Sequence, residues 1–421
     1  MNEKIAILIP SCGVNFDKAF KVCLESIDGS ASVKPEHHKI LAVMNGMKDK
    51  EKFETFINAM ITKGLPVEYL WYDQPLGYVG AINAGMNHIM SGGEKPDYVV
   101  FLNDDVGIYS RWWLDLLLSP FEKDEQMGLV GAKSLPCPIT GIDFPLGWCV
   151  MTKMEVFEKI GVLDTVWGVG FNDDADFCIR AMQAGYHIYS YVNGYDKIQK
   201  ASVGNFPASH TAENTMHSGE LFSMGDWDKH TAKNRMLLAQ RYWETVHVIC
   251  PVYQRYEKLK VALESLHNQY YTNIMVHVVS DGKDDKVKEI VEQKKMEWAQ
   301  KPFQPEIEYT FIDPPERGYG GLPRKTVLDS LENNDNEWVI FVDSDNVIQP
   351  DYVLKLWQST FLKPECGMTI CQINHIEENR IMPMKHEIEW GQIDSLNVMV
   401  RLSLAKKHAA KWIHNKNRTK V

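Results

Sequence analysis

Two groups of acids in this chain have the types and spacing to do chemistry. Asn103, Asp104 and Asp105 end the apolar run at 98–102, and Asp173, Asp174 and Asp176 follow the glycine-rich stretch at 168–170. Adjacent carboxylates at a strand end supply oxygen ligands for Mg²⁺ or Mn²⁺, which can grip the phosphates of a substrate. A turn or a helix cap uses the same residue types. Three acids in the first turn of a helix exceed the one or two that the helix dipole favours. Their mutual repulsion raises at least one pKa, which suits a general base that takes a proton from an attacking hydroxyl.

The first group occurs twice. Asp343, Ser344 and Asp345 end a second apolar run, 338–342, 240 residues further on. Ile9-Pro10 recurs as Cys250-Pro251, Asn45-Gly46 as Asp281-Gly282, and Gly77-Tyr78-Val79-Gly80 as Gly318-Tyr319-Gly320-Gly321. Four landmarks repeated in order at so long a period predict a duplicated domain, not a solenoid, and favour the metal-site reading over a cap.

Such groups need strands that stop at them. Residues 4–9, 39–44 and 67–72 read as strands, with helical spacing at 16–27 and 50–62 between them. Successive β-α-β units with right-handed crossovers predict an α/β fold built on a doubly wound, mostly parallel sheet. Gly77 to Gly80 opens a helix whose backbone amides could hold phosphate oxygens, although no P-loop lysine follows. Further on, 112–121 and 153–160 read as helices, and 128–132 and 145–151 as strands. The stretch 191–227 lacks periodicity and carries His210 and His217, with His230 just beyond. A helix at 227–241 leads to the second copy, giving a complete domain at 1–226, a helical linker at 227–244 and a second domain at 245–421.

The 421 residues are 44% hydrophobic, ample for ordinary cores in two or three domains. The net charge of −11 opposes the basic stripe that a phosphate backbone requires, so nucleic acid is not an expected partner. Residues 406–420 form the one basic segment, the pattern of a solvated helix face. Eight scattered cysteines fit reduced thiols, and the absence of a leader or long apolar span predicts a cytoplasmic protein without a membrane span.

Ile9-Pro10-Ser11, Asn45-Gly46, Gly77 to Asn83, Leu102 to Val106, Gly147-x-Cys149 and Asp173-Asp174-x-Asp176-x-Cys178-x-x-Arg180 together resemble a family 2 glycosyltransferase of the GT-A fold. Cys250-Pro251-Val252-Tyr253, Ser280-Asp281-Gly282 and Asp343-Ser344-Asp345 are similar to the same family. The resemblance implies tandem GT-A domains and an inverting, metal-dependent enzyme moving a sugar from a nucleotide-diphosphate sugar to an acceptor hydroxyl, as in glycan or polysaccharide synthesis. Asp174 would be the general base, flanked by Asp173 and Asp176. Pro10, Ser11, Asn45, Gly77, Asn83, Asn103 and Asp104 would bind the donor, with Asn45 at the nucleobase and Asp104 at the ribose or a metal-bound water. Asp105 would hold Mn²⁺ or Mg²⁺, and His210 lies where some members place a further metal or phosphate contact. In the second half, Pro251, Asp281, Gly318 and Asp343 would bind donor and Asp345 metal.

Two departures stand out. The base-reading position, usually aspartate as at Asp281, is Asn45 in the first half. Its amide oxygen can accept the N3–H of uracil or thymine, which favours UDP- or dTDP-sugars, while guanine stays open. In the second half, aligning Val398-Met399 with Val150-Met151 puts the expected acids at or past residue 421, and Asp394 is the last carboxylate. A nucleotide-sugar-binding scaffold without turnover is one alternative, against which the acids at 173–176 argue. A sugar nucleotidyltransferase is another, but residues 10–17 lack the basic signature it would carry. Trp148, Trp167 and Trp390 could stack on sugar rings or belong to the core.

Overall fold

The computed structural model describes residues 3–14, 16–191, 206–210, 224–300, 303–315, 320–375, 380–382 and 394–409. The chain folds as two compact units, Met1–Ala239 and Gln240–Val421.

The strands of the first unit are β1 (Ile5–Ser11), β2 (His38–Asn45), β3 (Val67–Tyr72), β4 (Tyr98–Leu102), β5 (Val106–Ile108), β6 (Met127–Gly131), β7 (Ser134–Pro136), β8 (Asp143–Pro145), β9 (Cys149–Lys153), β10 (His187–Ser190) and β11 (Ala208–His210). Seven of them form one sheet in the order β10-β6-β9-β4-β1-β2-β3, with β9 antiparallel to both of its neighbours. Every residue of β1 is buried, because helices cover both faces of a parallel sheet and leave no polar side to alternate. One face packs Ile5, Ile7 and Ile9 against Phe20 and Phe53. Strand order reverses between β1 and β4, and a crevice opens beyond their carboxyl ends at such a switch point.

The second unit contains β12 (Val246–Val252), β13 (Ile274–Asp281), β14 (Glu306–Ile312), β15 (Trp338–Phe341), β16 (Met368–Ile370), β17 (Ile373–His375), β18 (Arg380–Met382) and β19 (Val398–Arg401). Its main sheet runs β14-β13-β12-β15-β19-β16, the order of β3-β2-β1-β4-β9-β6. Register makes the equivalence residue by residue. Ser11 lies opposite Met44 as Val252 lies opposite Ser280, which makes Asn45 the counterpart of Asp281. Val100 pairs with Met151 as Ile340 pairs with Met399, the alignment of Val398-Met399 expected from sequence. The chain is thus mixed α/β with two mostly parallel sheets.

The helix Met224–Tyr242 crosses the division between the units. The strand expected at 145–151 is interrupted: β8 ends at Pro145 and β9 starts at Cys149. Gly147 and Trp148 leave the ladder there to make the contacts described next. Among the described residues no helix is long and apolar enough to cross a membrane.

Candidate active site

Asp105 sits between β4 and β5, and β5 pairs antiparallel with β11 so that His210 lies opposite Val106. This pairing brings His210 Nε2 to 3.1 Å from Asp105 Oδ1. The Asn103 amide lies 3.3 Å from the same nitrogen, and its Oδ1 is buried without a hydrogen-bond partner. The Trp148 ring stacks on His210 at 5.1 Å and 4°. A carboxylate, an imidazole and an orphaned amide oxygen fit a divalent cation that accepts both oxygen and nitrogen donors. Among the described residues no three His, Cys, Asp or Glu side chains converge as a metal site, so substrate phosphates and water would complete the coordination. Asp104 is buried and accepts the Ser11 hydroxyl at 2.5 Å. Burial pushes its carboxyl up to about 7, the Ser11 bond opposing and the Asp105 charge adding to the rise.

Gly147 and Trp148 join this end to the acid pair. The Trp148 carbonyl accepts the Asn103 N–H at 2.9 Å. Gly147 donates its N–H to Asp174 Oδ2 at 3.2 Å, and its carbonyl accepts the Tyr78 hydroxyl at 2.9 Å. Asp174 also accepts the Ala175 N–H at 2.9 Å. Burial raises both Asp173 and Asp174, and the Asp174 charge raises Asp173 further. Asp173 is buried and Asp174 is half-buried, so Asp174 is the member that an acceptor could reach.

Asp176 is fully buried and is held by Arg180 Nε at 3.0 Å, while the same guanidinium donates to the carbonyls of Ile160 at 2.8 Å and Val162 at 3.0 Å. These contacts tie the helix Asp173–Gln183 to the segment at 160–162. Asn83 donates to the Leu163 carbonyl at 2.8 Å and accepts the Leu163 N–H at 3.1 Å, which ties its helix to the loop at Leu163. Asn45 donates to the Ser11 carbonyl and accepts the Leu76 N–H, each at 2.9 Å, which leaves one lone pair and one N–H for a base. Gly77 has φ +70°, and a Cβ there would lie 2.9 Å from Val169 Cα. That close approach joins the helix entrance to the loop before the acids. Pro10 is at the end of buried β1. Trp148 and Trp167 are buried core residues, not exposed sugar platforms, and Trp390, His217 and Gly318 lie outside the described residues.

The loop before the acids was not legible as part of the site. Phe171 and Asn172 both adopt left-handed backbone, at φ 77° and 69°. The helix Met224–Tyr242 holds them there: Asn234 Nδ2 donates toward the carbonyls of Trp167, Gly170 and Phe171 at 3.0–3.1 Å, and His230 Nε2 meets the Gly170 carbonyl at 2.8 Å. Only the Gly-x-Gly-x-Asn pattern hinted at the unusual backbone.

The second unit arranges its strand-end acids differently. Asp343 is paired with the buried Arg324, and Asp345 with Arg255 and, at 3.8 Å, Lys258. Asp345 thus faces cationic side chains where Asp105 faces His210, so the residues here do not fit the expected metal site. Asp281 ends β13 and Pro251 lies in β12, both as expected from the register.

The glycosyl transferase family 2 model matches residues 247–402. The match spans β12 to β19 and includes Arg255, Lys258, Arg324, Asp343 and Asp345. The chain is 29% identical over 126 residues to EpsH of Bacillus subtilis (strain 168), assigned as a glycosyltransferase, covering 30% of this chain and 33% of that one. It is 33% identical over 116 residues to the glycosyltransferase GlyA of Streptococcus pneumoniae serotype 4, covering 27% of this chain and 15% of that one. The matches thus span a third or less of these relatives' length. Among solved structures it is similar to the mannosyltransferase PcManGT from Pyrobaculum calidifontis in complex with GDP-Man and Mn²⁺, with 15% identity, a TM-score of 0.36, and coverage of 47% of this chain and 59% of that one.

Proposed function

We propose that the first unit is an inverting glycosyltransferase that moves a sugar from a uridine or thymidine diphosphate sugar to an acceptor hydroxyl. The observation that carries the reading is the Gly147-Trp148 dipeptide, which touches the Asp105, His210 and Asn103 group on one side and Asp174 on the other. Such a link spaces a diphosphate-holding end from a proton-accepting end within one crevice.

Asp104 and Ser11 meet the ribose, and the remaining lone pair of Asn45 accepts the N3–H of the pyrimidine. Asp105, His210 and the Asn103 amide oxygen would hold Mn²⁺ or Mg²⁺. When bound, that ion offsets the charge gathering on the departing diphosphate. Asp174 takes the proton of the acceptor hydroxyl as its oxygen attacks the anomeric carbon. The bond from that carbon to the diphosphate oxygen breaks in line, and its electron pair leaves with the nucleoside diphosphate.

Calorimetry of the full chain with UDP, with and without Mn²⁺, tests this. Asp105→Ala should abolish the Mn²⁺-dependent part of the binding, and His210→Ala should weaken it by about tenfold or more. Mn²⁺-dependent binding that is unchanged in both variants would overturn the assignment.

A further inference from the structure

We propose that the region at 247–402 that matches the family 2 model binds a nucleoside diphosphate without a divalent cation, with Arg255 and Lys258 supplying the positive charge. The inference shares with the function proposed for the first unit only the class of ligand.

The sheet register sets Asp343, Ser344 and Asp345 in the places of Asn103, Asp104 and Asp105, at the end of the strand next to the switch point. The surroundings differ in charge. In the first unit two adjacent carboxylates face one imidazole, and a diphosphate would be repelled unless a cation intervened. In the second unit three cations, Arg255, Lys258 and Arg324, meet Asp343 and Asp345, with Asp394 near enough to raise Asp343. Val252 takes the place of Ser11, and the loop after it is shorter than in the first unit: its helix starts at Tyr256, just after Arg255 and with Lys258 in its first turn, where the first unit's helix starts only at Phe20. Arg324 falls at the sequence position of Asn83, which clamps backbone instead.

The two arginines divide the work by burial. Arg324 is 9% exposed, its Nη2 meeting Asp343 and, at 3.4 Å, the Ser395 hydroxyl, while its Nε is buried without a hydrogen-bond partner. It neutralises Asp343 in place. The Arg255 side chain is 54% exposed and meets Asp345 through Nη1. A guanidinium carries five N–H donors in a planar fork, so one that holds a carboxylate on one edge can still take phosphate oxygens on another. A divalent cation, by contrast, would have to displace both Arg255 and Lys258 from Asp345 before it could bind. No third His, Cys, Asp or Glu among the described residues converges to help it.

The test uses the full chain carrying Asp105→Ala, which removes the metal ligand of the first unit and leaves the second intact. UDP and GDP are titrated by calorimetry in EDTA and again with Mn²⁺. At least one nucleotide should bind in EDTA, with an affinity that Mn²⁺ changes by no more than about twofold. Adding Arg255→Gln together with Lys258→Gln should weaken that binding by about tenfold or more. Asp345→Ala should leave it intact or tighten it, since Arg255 then loses its carboxylate partner. Circular dichroism and thermal melts establish that each variant is folded, and an Arg255→Lys variant, which keeps a charge but loses the fork, should retain part of the affinity. Binding seen only with Mn²⁺ and lost in Asp345→Ala would overturn the proposal, as would the absence of binding of both nucleotides in EDTA. Loss of Mn²⁺-dependent binding on comparing the unsubstituted chain with Asp105→Ala reports on the first unit alone, so the two readings fail separately.

Discussion

At the scale of single residues, Asp173 and Asp174 divide one task. Desolvation raises both carboxyls and their mutual repulsion keeps a proton on the pair. An ordinary carboxyl titrates near about 4, so above that value the folded chain binds more protons than the unfolded one. The pair's contribution to stability is therefore present below that value and is lost as pH rises through the raised pKa. Asp173→Asn removes the repulsion, and two outcomes follow: the melting temperature at neutral pH should rise, and the acid limb of the kcat profile should move to lower pH. Asp174→Asn should leave donor affinity within about twofold but cost about a hundredfold or more in kcat. A pH profile of sugar transfer with separate donor titrations distinguishes the two variants. Full activity in Asp174→Asn would refute its assignment as the base. Much at this scale was legible in the sequence, since an amide and two acids at a strand end say what they could bind. Asp176 was legible in another sense. Its spacing of four from Arg180 on a helix is that of an ion pair, and the buried pair is what the structure contains.

At the scale of elements, the strands were readable because buried parallel strands are continuous apolar runs. The break between Pro145 and Cys149 was not, because one Gly147 inside an apolar run is too weak a marker to end a strand; long-range bonds to Asn103, Asp174 and Tyr78 decide the conformation. The same holds for His210, whose approach to Asp105 depends on a three-residue pairing across about a hundred residues of chain. The loop ahead of the acids shows what such long-range support does. Phe171 and Asn172 occupy left-handed backbone that costs of order 1–3 kcal/mol for an unsuited residue, and Asn234 and His230 hold the carbonyls around it. Asn tolerates that conformation and a β-branched residue does not. Asn172→Val should lower stability by roughly 1–3 kcal/mol and reduce kcat through the displaced acids. Asn172→Gly should melt within a few degrees of the unsubstituted chain, and scanning calorimetry of both variants checks the contrast.

At the scale of the whole molecule, the landmarks recurring in order were legible in the sequence, and the strand order of both units bears out two mostly parallel α/β sheets. What sequence could not convey is that similar strand ends acquire opposite electrostatics. Asn103 and Asp343 occupy equivalent places, yet one carries an orphaned oxygen and the other a buried arginine, because Asn83 and Arg324 make different long-range contacts. Acid stability is another property of the whole chain that starts at one buried group. His38 is 1% exposed, and its Nδ1 accepts the Lys34 N–H at 3.0 Å, which requires the neutral ring. Burial, with the Lys34 charge adding to it, lowers its pKa to about 4. An unfolded histidine titrates near about 6.5, so the unfolded chain binds more protons between these values. The contribution is therefore present above about 6.5 and is lost as pH falls through about 4, where the proton arriving on Nδ1 must displace the Lys34 hydrogen bond. His38→Asn keeps an acceptor near the Nδ1 position and removes the titration. Melting temperatures measured from pH 7 down to pH 4 should fall less steeply in His38→Asn than in the unsubstituted chain. Parallel curves for the two proteins would mean that His38 is not among the groups that make the fold acid-sensitive.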